Sequence, residues 1–429
     1  MAAKTGIFSK PAVQLADILA PERNSFGLIR LAAAISVLIT HSFEFLSGTV
    51  ESDPVFAWTG HALGDHGVQV FFFLSGILIA QSFEKSRSLL EFVTARALRI
   101  GPALAVCILL TAFVLGPLVS TLPLRDYLQD PRLARYIVST SMLVTGSAPL
   151  PGVFDHLPLA GNVNLSLWTL KYEVACYIGL AALGFAGFFD RRVRFAAVGL
   201  LSFAIAALFI APFKPADAYT VAENLRHFGL YFALGTLAYL VRERLALTWL
   251  AVLPLAAAAI GLHKTHFGEL AAALLLGYLT LLLAARTWGR LGAFTREHDY
   301  SYGVYIYAAP VQHTLQYWMP GLDALVLSLW ALAATLPLAY LSWTLIEKPA
   351  LGMRRAWFGR RQAARVAPAP RSGQPAAVAL AVPHAAIQSP VAFRWPARQA
   401  EAPPAPRTFA EGPLFANRLG RIAARPLES

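Results

Sequence analysis

Residues 26–45, FGLIRLAAAISVLITHSFEF, form an apolar run interrupted by Arg30 and His41. A helix of about 20 apolar residues crosses a bilayer, so the run reads as a transmembrane segment carrying a guanidinium and an imidazole. The remainder of the chain is of the same kind. Its 429 residues are 57% hydrophobic and only 14% charged, with mean hydropathy +0.54, whereas soluble domains carry roughly a quarter charged residues. Ten segments qualify as spans: about 26–46, 69–83, 100–120, 166–189, 195–212, 226–241, 246–261, 267–285, 301–317 and 323–346. The expected fold class is therefore all-α: a polytopic membrane protein with about ten transmembrane helices.

Lysine and arginine placement orients these spans. With the N-terminus inside, twelve Lys and Arg fall in inner loops (Lys85, Arg87, Arg96 and Arg99 the first of them) against six in outer loops, and loop 47–68 has neither. Lys348, Arg354 and Arg355 follow the tenth span on the inner side, so both termini are expected in the cytoplasm. The first two dozen residues lack an apolar stretch ahead of a small-residue cleavage site, and no removable signal peptide is expected. Three regions follow: a cytoplasmic segment 1–24, a transmembrane domain 25–350 and a tail 351–429. From about 357 the tail is rich in Ala, Pro and Arg, with ten Arg against Glu401, Glu411 and Glu428, which is +7 of the formal +12. Such a composition buries no core and is expected to be disordered. Its charge suits anionic lipid rather than nucleic acid.

Ionisable residues at membrane depth cost roughly 2.5–3.5 kcal/mol on insertion scales and mark function by default. Taken alone, Arg30 is an interfacial anchor and His41 a polar contact between helices. Eleven residues at 100° each place both on one helix face, about 16 Å apart along the axis. In EFVTARALRIGPAL (91–104), Arg96 and Arg99 are neighbours at i and i+3. A guanidinium pair suits a diphosphate, and ordinary positive-inside anchoring is the competing account. In NLSLWTLKYEVACYIGL (164–180), Glu173 lies inside the fourth span at a depth close to that of His41. Lys171 does not share its face, and Trp168 suits an aromatic belt. The Ser-Gly pair in VQVFFFLSGILIA (68–80) suits close helix packing. Cys107 and Cys176 lie in apolar runs and read as buried free thiols. His61, His66, His156, His263 and His266 are scattered over outer loops, and no metal site is expected. Nucleotide-binding and G-x-S-x-G fingerprints are absent.

Six motifs in order resemble the acyltransferase-3 family of membrane O-acyltransferases: Arg-x10-His in the first span, FFFLSGILI, Arg-x-x-Arg, LSLWTLKYEVACYI, DYSYGVYIYAAPVQHTL (299–315) and SWTLIEKPA (342–350). One departure is that Tyr307-Ala308-Ala309 precede Pro310 where some members have histidine. The resemblance implies a multi-pass enzyme of the bacterial inner membrane. Such enzymes move a small acyl group, commonly acetyl, from cytoplasmic acyl-CoA to a hydroxyl of a cell-surface or secreted glycan, with no bound cofactor. By likeness His41 is catalytic, Arg30 supports it, and Arg96 and Arg99 hold the donor. Glu173 is expected to fix the His41 imidazole or hydrogen-bond the sugar, and Trp168 to serve the acceptor or the oxyanion. His41 acts as general base or as nucleophile; the residues leave both open. A proton-coupled transporter using the same Arg, His and Glu residues is the different-class alternative. Oligomeric state and acceptor identity leave no signature in the sequence.

Overall fold

The computed structural model describes residues 13–86, 88–144, 148–190, 192–209, 220–354 and 357–358. Residues 1–12, Arg87, Arg191, Lys214, Arg355 and the tail from 359 lie outside them. The described residues are mostly helical, and each of the ten expected segments is helical over most of its described length. The main helices are α1 (Phe26–Ser47), α2 (Leu63–Lys85), α3 (Leu89–Leu110), α4 (Pro131–Ser141), α5 (Leu170–Phe185), α6 (Arg194–Ala207), α7 (Val221–Leu240), α8 (Val252–Leu262), α9 (Gly268–Ala284), α10 (Gly289–Glu297), α11 (Ser301–Trp318) and α12 (Ala324–Ser342). A two-residue antiparallel pair, β1 (Val13–Gln14) with β2 (Ala246–Leu247), ties the segment before α1 to the loop before α8. Four helical stretches are long and apolar enough to cross a membrane: α1, α2, α3 with its extension to Val119, and α12 with its extension to Arg354. A fifth arises if α9 and α10, bent by 100° at their junction, count as one span. Several of the other helices are shorter than 18 residues, such as α5 with 16 and α6 with 14, and α11 carries many polar groups.

Helix packing follows residue size. α2 lies along α7, where a Cβ on Gly76 would sit 2.1 Å from the Phe232 carbonyl oxygen and one on Gly235 2.0 Å from that of Phe73. Only glycine permits that approach, so the expected packing role of the Ser-Gly pair holds at Gly76. α1 packs between α2, α11 and α12, and α11 grips its far half. Gln312 Nε2 donates to the Leu38 carbonyl (2.7 Å) and to Ser42 Oγ (2.6 Å), and Gln316 Nε2 to the Phe45 carbonyl (2.7 Å). Pro310 removes the N–H that would reach the Ile306 carbonyl. Asn164 Nδ2 at 2.9 Å and Cys107 Sγ at 3.2 Å donate to that oxygen instead. Cys107 and Cys176 are both buried and free.

Two helices loosen into π turns, Thr111–Leu115 after α3 and Trp343–Glu347 after α12. Such turns often occur at functional sites, and the second carries a buried carboxylate, Glu347.

Candidate active site

Two cavities abut along α1. The smaller, about 90 Å³, is lined by Arg30, Arg96, Arg99 and Glu173 among apolar and tyrosine side chains. The larger, about 690 Å³, is lined by His41, Glu44, Ser166, Trp168 and residues of the loop between α1 and α2. Val68, Thr169 and Tyr305 line both and form the wall between them. Thr169 Oγ1 and the Tyr305 hydroxyl share a 2.5 Å hydrogen bond in that wall. A third cavity, about 190 Å³, shares Arg30 and Leu78 with the small chamber and reaches Asn24, Gln81, Arg296 and Asp299 near the start of α1. Arg30 and His41 therefore face consecutive cavities along one helix.

The arginine chamber is built on a part-buried ion network. Asp299 Oδ2 accepts from Arg30 Nη1 and from Arg99 Nη2, each at 2.7 Å, and Arg99 Nη1 donates to Glu347 Oε2 at 3.0 Å. Burial alone would raise the Asp299 carboxyl; Arg30 and Arg99 outweigh it and hold the group well below the usual carboxylate range. Arg99 also lies over the Tyr302 ring and Arg30 over Phe71. Arg96 differs: its Nη2 reaches Ser82 Oγ at 3.4 Å, while its buried Nε has no hydrogen-bond partner among the described residues. The i, i+3 spacing thus yields two unequal guanidiniums, one compensated by carboxylates and one with an unanswered N–H.

Glu173 is placed differently from expectation. It sits in the arginine chamber and accepts from the Tyr177 hydroxyl and from Ser75 Oγ (3.3 Å). His41 Nδ1 pairs instead with Ser166 Oγ at 3.4 Å. The reason is helical direction: the 3-10 turn Leu165–Thr169 presents Ser166 to the large cavity, and α5 then carries Glu173 a full turn further into the small one. His41 is 7% exposed and stacks on Phe45 at 5.6 Å, which stacks on His313 at 3.9 Å. Thr40, its chain neighbour, hydrogen-bonds Asp53 and accepts from Gly64 N at 2.7 Å, pinning α1 to the entry of α2. Trp168 lines the histidine cavity with its ring against Phe228 and Tyr172.

Across that cavity the fold gathers residues the sequence reading left apart. His61 and His227 rings stack at 5.7 Å, and both lean on Glu269: His227 Nδ1 at 3.1 Å and His61 Nε2 at 3.7 Å. Burial lowers the His61 imidazole, but the Glu269 hydrogen bond and charge outweigh it and its pKa is raised. Asp299, Glu347, Ser166, His227 and Glu269 were all unassigned. His227 and Glu269 had a readable signal, since each is ionisable within an expected span; Asp299 and Glu347 sit in motifs quoted above.

Residues 23–344 match the family model described as an acyltransferase domain. This chain belongs to the acyltransferase-3 family. It is similar to an O-acetyl transferase of Shigella phage Sf6, 30% identical over 76% of this chain and 95% of that protein. It is also similar to nodulation protein 10 of Rhizobium leguminosarum bv. viciae, 29% identical over 79% of this chain and 96% of that protein. No solved structure matches. The membership decides for an acyltransferase over the transporter alternative, and the apolar helices make it a multi-pass membrane protein. For an acyltransferase-3 enzyme, the useful feature of this site is an arginine-lined chamber set against an imidazole cavity across the shared residues Val68, Thr169 and Tyr305.

Proposed function

We propose that this enzyme transfers a small acyl group, acetyl first among them, from acyl-CoA to a hydroxyl of a cell-surface or secreted glycan. The observation that carries this reading is the shared wall of Val68, Thr169 and Tyr305 between the Arg96 chamber and the His41 cavity. The small chamber admits a thin arm and no nucleotide. The nucleotide end of the donor would stay at the opening near Asn24 and Arg296, its phosphates drawn by Arg30 and Arg296 there and by Arg96 and Arg99 in the chamber behind. The topology that suits this is ten spans with both termini in the cytoplasm of a bacterium and the His41 cavity facing the opposite side of the inner membrane. The relative named as an O-acetyl transferase supports acetyl and an oxygen acceptor.

The chemistry needs one base. Ser166 occupies Nδ1 of His41, which leaves Nε2 to take the proton as the sugar oxygen attacks the thioester carbonyl. The tetrahedral oxyanion collapses, the C–S bond breaks, and the thiolate recovers the proton from His41. General-base catalysis of this kind is worth typically 10²–10⁴-fold. Thr169 and Tyr305 hydroxyls in the wall, or the Trp168 N–H, would donate to the oxyanion. Glu173 orders Tyr177 and Ser75 and balances Arg96.

The test is mass spectrometry of surface glycans from cells carrying the wild-type protein, the His41→Ala variant or neither. An acyl ester present only with wild type is expected, at equal protein abundance. A His41→Ala variant with full transfer overturns the mechanism, and an unchanged glycan with no acyl-CoA turnover by purified protein overturns the function.

A further inference from the structure

We propose that the His41 cavity is built for an acceptor without negative charge: a neutral or amine-bearing sugar, with uronate, sialate and phosphate-bearing sugars excluded. This rests on the function proposed above and names the class of its acceptor. The cavity wall carries the Glu51 and Asp65 carboxylates beside Glu44, and no Lys or Arg among the described residues that line it. Of its three imidazoles, His41 is paired with a neutral hydroxyl, and the other two do not offset these carboxylates. His61 and His227 both lean on the Glu269 carboxylate, and His61 Nδ1 also lies 4.0 Å from Asp65 Oδ2. Glu269 thus answers one positive charge of the pair. Residues 47–68, which supply most of the mouth, contain no Lys or Arg in the sequence itself.

A cleft lined by one sign of charge with low-dielectric walls focuses its field and changes local concentrations of charged ligands roughly 10- to 1000-fold. An anionic sugar entering here would meet that penalty before reaching His41, and it would find no guanidinium or ammonium to repay the loss of water from its carboxylate. A neutral pyranose pays neither cost, and its hydroxyls find carboxylate and imidazole acceptors along the wall. The arginine chamber is walled differently: Arg30 and Arg99 are paired with Asp299 and Glu347, and Arg96 keeps a guanidinium N–H without a partner among the described residues. The two substrates are thus sorted by charge before chemistry begins: the anionic donor is repelled from the acceptor side.

The charge of the cavity is measurable without knowing the acceptor. In the full-length protein purified in detergent, His41→Cys reports the depth of the cavity and Phe56→Cys its partly exposed mouth. Each is reacted with a cationic trimethylammonium and an anionic sulfonate methanethiosulfonate, with wild type, whose Cys107 and Cys176 are buried, as background. The rate ratio is divided by that for free mercaptoethanol. A cationic preference at least tenfold above the free thiol is expected, falling toward one when Glu51→Gln and Asp65→Asn are added. A preference equal to the free thiol, an inverted one, one unmoved by neutralising the carboxylates, or a mouth cysteine that reacts with neither reagent overturns the proposal. This readout uses no turnover, so its failure leaves acyl transfer standing, and loss of acyl transfer leaves it intact. In glycans modified by the active enzyme, an acyl ester on a uronate or sialate residue overturns it as well.

Discussion

The two cavities along α1 are near neighbours of opposite construction. The arginine chamber is small, and two of its three guanidiniums are locked to Asp299 and Glu347 by bonds of 2.7–3.0 Å. The histidine cavity is several times larger, and its key imidazole is held by one hydroxyl at 3.4 Å and a ring stack. The first is a scaffold that leaves one guanidinium N–H unanswered; the second is open space with the His41 imidazole on its wall. Ion networks fix geometry but cost desolvation; under the proposed function this suits the donor end, where one charged head is bound repeatedly in one pose. An acceptor that differs only in its hydroxyls is better received by room and a few polar groups.

That contrast predicts a separation of kinetic effects. The largest is at His41: replacement by Ala should lower kcat by about 10²–10⁴-fold with donor binding by calorimetry unchanged, and a matching loss of donor affinity would merge the two cavities into one function. Next is the scaffold. Asp299→Asn or Glu347→Leu leaves a part-buried guanidinium short of a carboxylate, a loss smaller than the roughly 3–5 kcal/mol of a fully buried pair that thermal unfolding in detergent would still detect, whereas Ser166→Ala in the other cavity should leave the unfolding temperature in place. Arg96→Gln comes third. Removing a charge-assisted contact of about 1.5–3 kcal/mol should raise the KM for donor about tenfold or more, with kcat and acceptor handling little changed. The smallest is Ser166→Ala, a few-fold fall in kcat from a less well oriented imidazole, read in the same assay.

Acid stability sharpens the comparison further. Asp299 has a carboxyl held below its ordinary range, so its stabilisation is complete above the unfolded value of about 3.9 and fades only as pH falls below it toward the depressed folded value. The thermal stability contributed by Asp299 should be flat from pH 5 to 8, and Asp299→Asn should lower stability equally throughout that window. A wild-type loss near pH 5–6 that Asp299→Asn abolishes would contradict the assignment.

Much of this was legible in the residue order. Apolar runs gave helices at each expected position, glycine at 76 gave a close helix contact, and the eleven-residue interval put Arg30 and His41 on one helix facing linked cavities. Partner choice was not legible. Arg30 meets Asp299 across 269 residues and Arg99 meets Glu347 across 248. Glu173 was expected beside His41 because their inferred depths matched; depth fixes only one coordinate, and the turn at 165–169 sends Glu173 to the other cavity. Ser166 had no assigned role until the fold set it against an imidazole.

Local periodicity depends on the chain's own geometry, 3.6 residues per turn and 1.5 Å per residue, so the sequence by itself determined a bundle of apolar helices and which charged side chains share a helix face. Which guanidinium is neutralised, which stays receptive, and where the cavity wall falls depend on contacts between residues hundreds of positions apart. Those were decided only when α1, α3, α5, α11 and the turn after α12 packed together, because the cost of an unpaired buried charge is settled by the nearest neighbours in space and not by those in the chain.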